Sequence, residues 1–152
     1  ATPDVIEPAP TTEEAISGPS EYEVMRTNSI AKKNRAIQTK LEKVISYTKQ
    51  TMVAYMSEED LNRLCTYVAE YSSGDTLQKI TPVKVDSQLK SIDIMHFGWN
   101  IGKAFGIKRI HTATFIKNVF AHTLRDLEIS TIERKMSHTE SECYIKLQQL
   151  KE

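Results

Sequence analysis

The sequence predicts an all-α fold, in which an N-terminal helical hairpin with a long first helix is followed by a C-terminal helical bundle of helix-turn-helix type. At most one short β-element is expected. The chain of 152 residues holds only 5 Gly and 5 Pro, and Pro3, Pro8 and Pro10 all lie within its first ten residues. Helix-breaking residues are therefore scarce downstream, whereas a many-stranded fold needs frequent turns. Between the breakers, apolar residues recur at helical spacing.

The pattern divides the chain into an acidic tail (1–27), a helical hairpin (28–74), a connector (75–87) and a helical domain (88–148). The first 25 residues carry six acids and no bases, and their apolar residues follow no period. Such a segment buries too little apolar surface to offset the entropy lost on ordering, so we predict disorder there. The alternative is a short strip around residues 16–25 that binds a partner.

The first helix, predicted from residue 28 or 29 to residue 56, contains a heptad seam. With Ile30 at position d, Ile37 and Val44 also fall at d, and Leu41 falls at a. Apolar residues at a and d form the contact between two coiled helices. We therefore predict self-association through Ile37, Leu41 and Val44. The alternative is that these side chains pack on the rest of the same chain.

The same helix is strongly basic, although the formal net charge of the chain is zero. From Arg26 to Gln50 there are seven bases against one acid, Glu42. Such a face is suited to holding phosphates or the acidic tail, and a solvated helix face is the simpler interpretation.

Two further helices are delimited by the residues at their ends. Ser57 precedes three acids and is predicted to cap a helix over residues 58–72, since its hydroxyl accepts from free backbone N–H groups and the helix dipole favours acids there. Gly74 suits a left-handed position after that helix. A third helix is expected over residues 89–105, with Gly106 at its end.

The third helix carries features that indicate a central position in its domain. Gly98 and Gly102 are four residues apart, which lets a neighbouring helix come close and offsets their low helix propensity. His96 is predicted to be a core or boundary histidine with satisfied hydrogen bonds. Asp86 and Asp93 are predicted to be surface carboxylates.

A fourth helix is predicted over residues 112–124, and a short fifth helix starts at Ser130, with Ser130 and Glu133 as a capping box. Residues 143–147 alternate enough in polarity for one short strand. This order of helix, break, capped helix, polar turn and strand resembles a helix-turn-helix with a minimal wing.

We therefore predict a nucleic-acid surface on the fifth helix. Side chains that donate hydrogen bonds to bases or phosphates recur there on one face: Thr131, Arg134, Lys135 and His138. Further phosphate contacts are expected from nearby elements: Lys108, Arg109 and Lys117. Acids such as Glu133 and Glu140 oppose a phosphate backbone, so a structural or protein-contact role is the alternative.

The run from Ile94 to Ile101, with Phe115–Lys117 and Ile129–Ile132, is similar to uncharacterised bacterial proteins with a helical C-terminal domain. The pattern resembles the helix-turn-helix or winged-helix modules of such proteins. The similarity covers less than half of the chain. It implies a helical second half and a bacterial source, and it implies no activity.

No enzyme, metal or cofactor is expected. The sequence has no GxSxG, P-loop, GxGxxG or HExxH pattern, and its 4 His and 2 Cys lack metal-ligand spacing. The expected partner is duplex DNA, another protein or a second copy, with no small-molecule substrate and no membrane. Two distant cysteines and the lack of a long apolar run favour a reducing, cytoplasmic location.

Overall fold

The computed structural model describes residues 18–74, 79–140 and 142–150, and all regular secondary structure in that part of the chain is helical. Its helices are α1 (Glu21–Met52), α2 (Glu58–Ser72), α3 (Ser91–Phe105), α4 (Arg109–Val119) and α5 (Ile129–Lys135). The prediction of an all-helical fold with a long first helix is confirmed. By internal contacts the chain divides into residues 1–37 and residues 38–152. The hydrophobic core belongs to the second unit.

The start of α1 differs from the prediction. Residues 21–27, which the sequence pattern assigned to the disordered tail, are helical, whereas residues 1–17 of that tail lie outside the described residues. The Ser20 hydroxyl accepts a hydrogen bond from the backbone N–H of Glu23 at 3.1 Å and lies 3.2 Å from the Glu23 carboxylate. A serine followed three residues later by a glutamate is the sequence signal of a helix start. That signal was present and overlooked.

The predicted ends of α2 and the predicted C-terminal end of α3 are confirmed, whereas α3 begins at Ser91 rather than at residue 89. The Ser57 hydroxyl accepts from the backbone N–H of Asp60 at 3.2 Å, so it satisfies one of the free donors of the first turn. Gly74 follows α2 with φ +82°, and Gly106 ends α3 with φ +71°. Both angles lie in the left-handed region, which glycine adopts without a steric penalty.

The region from α4 to α5 is correctly predicted as helical and wrongly predicted in its details. α4 ends at Val119 rather than near residue 124. α5 begins at Ile129, and its N-cap residue Glu128 makes no side-chain capping hydrogen bond. Ser130 is thus the second residue of α5, and the capping box between Ser130 and Glu133 does not form.

The two glycines of α3 allow α4 to approach closely, as predicted. A Cβ atom on Gly98 would lie 2.9 Å from both Cδ1 and Cγ2 of Ile116. One on Gly102 would lie 2.6 Å from Oγ1 of Thr112. Carbon atoms do not approach one another at the first of these distances without displacement, so the glycines are required by packing rather than by backbone conformation.

A buried polar row on α3 fixes the C-terminal part of the chain. The row consists of Asp93, His96 and Asn100, whose residues are at most 1% exposed. Residues 143–147, predicted as a strand, form no strand and instead lie along this row as an irregular segment with bends at Tyr144 and Ile145. The segment still alternates, because Cys143 and Ile145 are buried. Its side chains therefore alternate between buried and exposed, as they would in a strand, but its backbone pairs with no other strand.

Asp93 and His96 bind the backbone of this segment. The Asp93 carboxylate accepts from the backbone N–H groups of Tyr144 at 2.6 Å and of Ile145 at 3.0 Å, so the prediction of a surface carboxylate is wrong. The ring nitrogens of His96 lie 2.8 Å from the carbonyl oxygen of Ile145 and 2.6 Å from that of His138. The prediction of a core histidine with satisfied hydrogen bonds is confirmed.

Asn100 completes the row. Its amide nitrogen donates to the carbonyl oxygen of Lys146 at 2.8 Å and to the Tyr47 hydroxyl at 2.7 Å. Its amide oxygen accepts from the backbone N–H of Gln148 at 2.8 Å. Since Tyr47 lies on α1, one side chain of α3 links α1 to the C-terminal segment.

Candidate functional site

The predicted nucleic-acid residues fall into two groups, and the first group serves the fold. The Arg109 guanidinium donates to the carbonyl oxygens of Glu133 and Arg134 and, at 2.9 Å, to the Ser137 hydroxyl. These carbonyl groups lie in the last turn of α5. A cation is favoured there because of the helix dipole and because the last carbonyl oxygens have no partner within the helix. Arg109 therefore holds the beginning of α4 against the end of α5.

Lys117 has a similar structural role at the other end of α5. Its ammonium donates to the carbonyl oxygens of Leu124 at 2.9 Å, Arg125 at 3.2 Å and Leu127 at 2.6 Å. An ammonium has three donors, so all of them are engaged by the loop that precedes α5. This explains the half-buried position of Lys117 and leaves it no donor for a phosphate.

The second group is accessible. Arg134, Lys135, His138 and Lys108 are exposed, and Thr131 is half-buried. Arg109 binds the backbone of Arg134, so the start of α4 is held against the end of α5. Lys108 directly precedes α4. Glu133 is half-buried and Glu140 is exposed nearby in the chain.

The three residues of the predicted oligomerisation seam differ in accessibility. Ile37 is 58% exposed, Leu41 is half-buried and Val44 is 1% exposed. Val44 belongs to the hydrophobic core of residues 38–152, so it packs on its own chain and is not available to a partner. For Val44, the alternative prediction of packing on the same chain therefore applies. The part of the seam that a partner can reach lies before Val44.

Most of the exposed apolar surface is concentrated at the beginning of α1. From residue 18 to residue 37 every residue is exposed except Ala31, which is half-buried. Large hydrophobic side chains there are exposed by between 42% and 67%: Tyr22, Val24, Met25, Ile30 and Ile37. Elsewhere in the described residues the exposed large hydrophobic side chains are Val53 at 61%, Tyr144 at 62% and Ile110 at 39%.

Sequence reasoning missed a basic cleft within residues 38–152. It has a volume of about 430 Å³ and is lined by Lys40, Lys43, Val44, Trp99, Lys103, Ala104, Gln149 and Leu150. The Lys103 ammonium lies 5.7 Å from the centroid of the Trp99 ring. The spacing of four residues between Trp99 and Lys103 indicates that these two side chains lie on one face of α3. No sequence pattern indicates that α1 and residues 149–150 line the same cleft.

Both cysteines are buried. Burial raises the pKa of the Cys65 thiol, against a smaller lowering by the charge of Lys49, and a raised pKa is the opposite of an activated nucleophile. The buried Cys143 thiol donates to the carbonyl oxygen of Glu140. Nowhere in residues 18–74, 79–140 and 142–150 do three His, Cys, Asp or Glu side chains group as metal ligands.

No protein-family model, curated protein or solved structure matches this chain. None of the described helices is at once long enough and apolar enough to cross a membrane. The description of the protein therefore rests on its own residues: an all-helical chain with an exposed apolar stretch on α1, a group of cations at the end of α5 and a basic cleft.

Proposed function

We propose that the chain is a non-catalytic helical adaptor, and that a partner helix docks along the first part of α1. The observation that carries the proposal is the exposure of Ile30 and Ile37, by 42% and 58%, on a helix segment that buries almost nothing. Helices in proteins gain most of their stability from the packing of an apolar face. Ile30 and Ile37 lie seven residues apart on one face of α1, and exposed apolar side chains on one face support a protein interaction surface.

The heptad register supplies the geometry of docking. Ile30, Ile37 and Val44 are spaced by seven residues, so they occupy equivalent positions along α1. Val44 shows that this position is used for packing where the chain has its own core. At Ile30 and Ile37 the same position is exposed, which supports an apolar contact supplied by another helix.

The charges beside the seam select the chemistry of the partner. With Ile30 at d, the positions g are occupied by Arg26, Lys33 and Lys40. A parallel second copy would place uncharged Ala31, Gln38 and Ile45 opposite these cations, and an antiparallel copy would place the same cations there. Since residues at e and g set partner choice through ion pairs, the partner we propose is a different helix with acids flanking its apolar seam.

A binding experiment with two designed peptides tests this proposal. Both are amphipathic helices with apolar residues at a and d, and one has Glu at e and g where the other has Lys. We expect the Glu peptide to bind at least about fivefold more tightly, because three exposed ion pairs contribute about 0.3 to 1 kcal/mol each. The preference should shrink in high salt, since exposed charges are screened.

Matched variants locate the binding surface. Ile30→Asp combined with Ile37→Asp should lower affinity for the Glu peptide at least tenfold. Val53→Asp introduces the same change at a side chain that is 61% exposed outside the surface, and it should leave affinity unchanged. Equal binding of both peptides, or an effect of Val53→Asp as large as that of the double variant, would contradict the proposal.

Light scattering and a truncated chain test two other occupants of the α1 surface, a second copy of the chain and its own acidic tail. A dimer that dissociates when Ile37→Asp is introduced would replace the partner helix by a second copy. A monomer in which removal of residues 1–17 increases peptide affinity would instead point to the acidic tail of the chain. With the proposed partner, the chain alone is a monomer and that removal has no effect.

Duplex-DNA binding is a second candidate function, favoured by one observation. Arg109 holds α4 against the end of α5, and Lys108, Arg134 and Lys135, which flank this contact in the chain, are accessible cations. In that case α4 and α5 act as the two helices of a helix-turn-helix. The cations lie at the last turn of a seven-residue helix, whereas recognition helices read bases with their first turns, so this function ranks second.

Electrophoretic mobility shift at low salt decides this second candidate. Replacing Arg134 and Lys135 together by Ala should abolish salt-sensitive binding of duplex DNA. The matched control replaces Lys79 and Lys84, which are also exposed, and should bind as the unmodified chain does. Unchanged affinity in the Arg134 and Lys135 variant would remove this assignment.

A further inference from the structure

The basic cleft gathers three lysines. Lys40 and Lys43 reach it from α1, and Lys103 reaches it from α3. Among the described residues that line the cleft there is no acid. In the part of the chain that the structure describes, none of the three lysines has an ion-pair partner. Gathering like charges opposes folding, because each ammonium raises the electrostatic energy of the other two.

An aromatic ring and aliphatic side chains lie beside these charges. The Trp99 indole is half-buried, with the Lys103 ammonium 5.7 Å from its centroid. Val44 and Leu150 add apolar surface. The cleft thus combines a cationic rim with an apolar wall, and its volume of about 430 Å³ is within the usual range for small-ligand sites, roughly 300 to 1,000 Å³.

We propose that this cleft binds a small amphipathic organic anion. The lysine ammonium groups hold an anionic head, a carboxylate or a phosphate, through charge-assisted hydrogen bonds. The apolar body of the ligand packs against Trp99 and Leu150. The cleft shares Lys40 with the partner-helix surface. Its test changes Lys43 and Lys103, whereas the test of that surface changes Ile30 and Ile37, so either proposal can fail alone.

Trp99 reports on the site directly, because it is the only tryptophan among the 152 residues. Its emission is followed while four probes are added separately: phenyl phosphate, phenylacetate, inorganic phosphate and benzyl alcohol. We expect a saturable change with both aromatic anions. Inorganic phosphate, which lacks the apolar body, and benzyl alcohol, which lacks the charge, should each bind at least tenfold more weakly.

Comparing the probes also separates the kinds of head group. A preference for phenyl phosphate over phenylacetate would indicate a phosphate ligand, and the reverse would indicate a carboxylate. Repeating the titration with vesicles of an anionic phospholipid distinguishes a lipid head group from a free ligand. A free ligand predicts no change in Trp99 emission on adding vesicles.

Charge-neutral variants test the role of the lysines. Lys43→Gln combined with Lys103→Gln should weaken binding of the preferred aromatic anion at least tenfold, and raising the salt should weaken it further. Lys79→Gln combined with Lys84→Gln changes the net charge equally, outside the cleft, and should have no effect. Circular dichroism of each variant verifies that the fold is retained.

Three results would overturn the proposal. The first is that neither aromatic anion gives a saturable change in Trp99 emission up to about 10 mM, a concentration above the dissociation constants of most specific ligands. The second is that benzyl alcohol binds as tightly as the aromatic anions. The third is that the Lys43 and Lys103 variant binds the preferred anion as tightly as the unmodified chain.

Discussion

At the residue scale, buried polar side chains hold this fold together. Asp93, His96 and Asn100 are almost completely buried, and each binds backbone groups of residues 138–148. Buried polar groups are tolerated when their hydrogen bonds are made, and they are costly when a partner is removed. The row therefore specifies the path of the C-terminal segment more strictly than apolar contacts alone would.

Removing the Asp93 carboxylate should be strongly destabilising. Asp93→Ala leaves the backbone N–H groups of Tyr144 and Ile145 without their acceptor, and that of Lys90 loses its 2.8 Å contact as well. We expect the free energy of unfolding to fall by about 3 kcal/mol, measured by urea denaturation.

Asp126→Ala is the matched control for this variant. The Asp126 side chain is 91% exposed and lies 3.9 Å from Arg125, whose side chain is 78% exposed, so its removal should change stability by less than about 0.5 kcal/mol. Equal effects of the two variants would show that the polar row does not hold the C-terminal segment.

The raised pKa of the Tyr71 phenol predicts that the folded chain loses stability at alkaline pH. Burial raises the pKa of its phenol to about 12, although the hydrogen bond with Thr112 lowers it. A pKa above the unfolded value of 10.0 means that folding favours the neutral phenol. This contribution is fully present below pH 10, and it is lost as the pH rises through about 12.

Comparison with Tyr71→Phe isolates this contribution. The unmodified chain should be more stable than the variant at pH 9, where the hydrogen bond between the Tyr71 and Thr112 hydroxyls is intact. That difference should shrink steadily towards pH 12, because Phe has no proton to lose. A difference that stays constant over this range, in denaturation at each pH, would contradict the assignment.

Residue types alone could not predict the polar row. Each of its hydrogen bonds to the C-terminal segment joins residues more than 40 positions apart in the chain, and no local pattern contains that pairing. Asp93 was taken for a surface residue because carboxylates are rarely buried. His96 was predicted correctly because its neighbours on α3 are apolar on more than one side.

At the scale of elements, the contact between α3 and α4 depends on the absence of a side chain at Gly98. Gly98→Ala would gain roughly 1 kcal/mol in helix propensity. It would also place Cβ 2.9 Å from two carbon atoms of the fully buried Ile116. Overpacking of this kind typically costs about 1 to 3 kcal/mol, so we expect a net loss of stability in thermal denaturation.

A double-mutant cycle tests whether this contact is the cause. Ile116→Val removes Cδ1, one of the two atoms that the new Cβ would meet. In the Ile116→Val background, Gly98→Ala should therefore cost less than it does in the unmodified chain. Strictly additive effects, or a stabilising Gly98→Ala, would show that α4 does not approach α3 this closely.

Element ends were predicted where a single residue determines them. Ser57, Gly74 and Gly106 each act through their own hydroxyl or backbone angle, and this chemistry is visible in the sequence. The cap at Ser130 failed because α5 begins one residue earlier, at Ile129. The strand expected over residues 143–147 failed because strand formation requires a paired backbone, and α3 side chains bind this backbone instead.

At the scale of the whole molecule, the two units of the chain use α1 differently. Its later residues Val44, Thr48 and Met52 are buried in the core of the second unit, whereas the residues up to Ile37 remain exposed. The heptad pattern predicts the seam, but it leaves open whether Ile37, Leu41 and Val44 contact a second copy or their own chain. It does not indicate whether the seam packs against its own chain or against a partner, because the tertiary structure determines this.

Hydrogen–deuterium exchange along α1, measured with and without the Glu peptide, tests the adaptor proposal most directly. Backbone amides of residues 21–37 should exchange rapidly in the chain alone, because little packing opposes local opening there. Adding the peptide should slow exchange in this segment and leave α5 unchanged. Strong protection of residues 21–37 in the monomeric chain without peptide, or protection by peptide confined to other helices, would contradict the account.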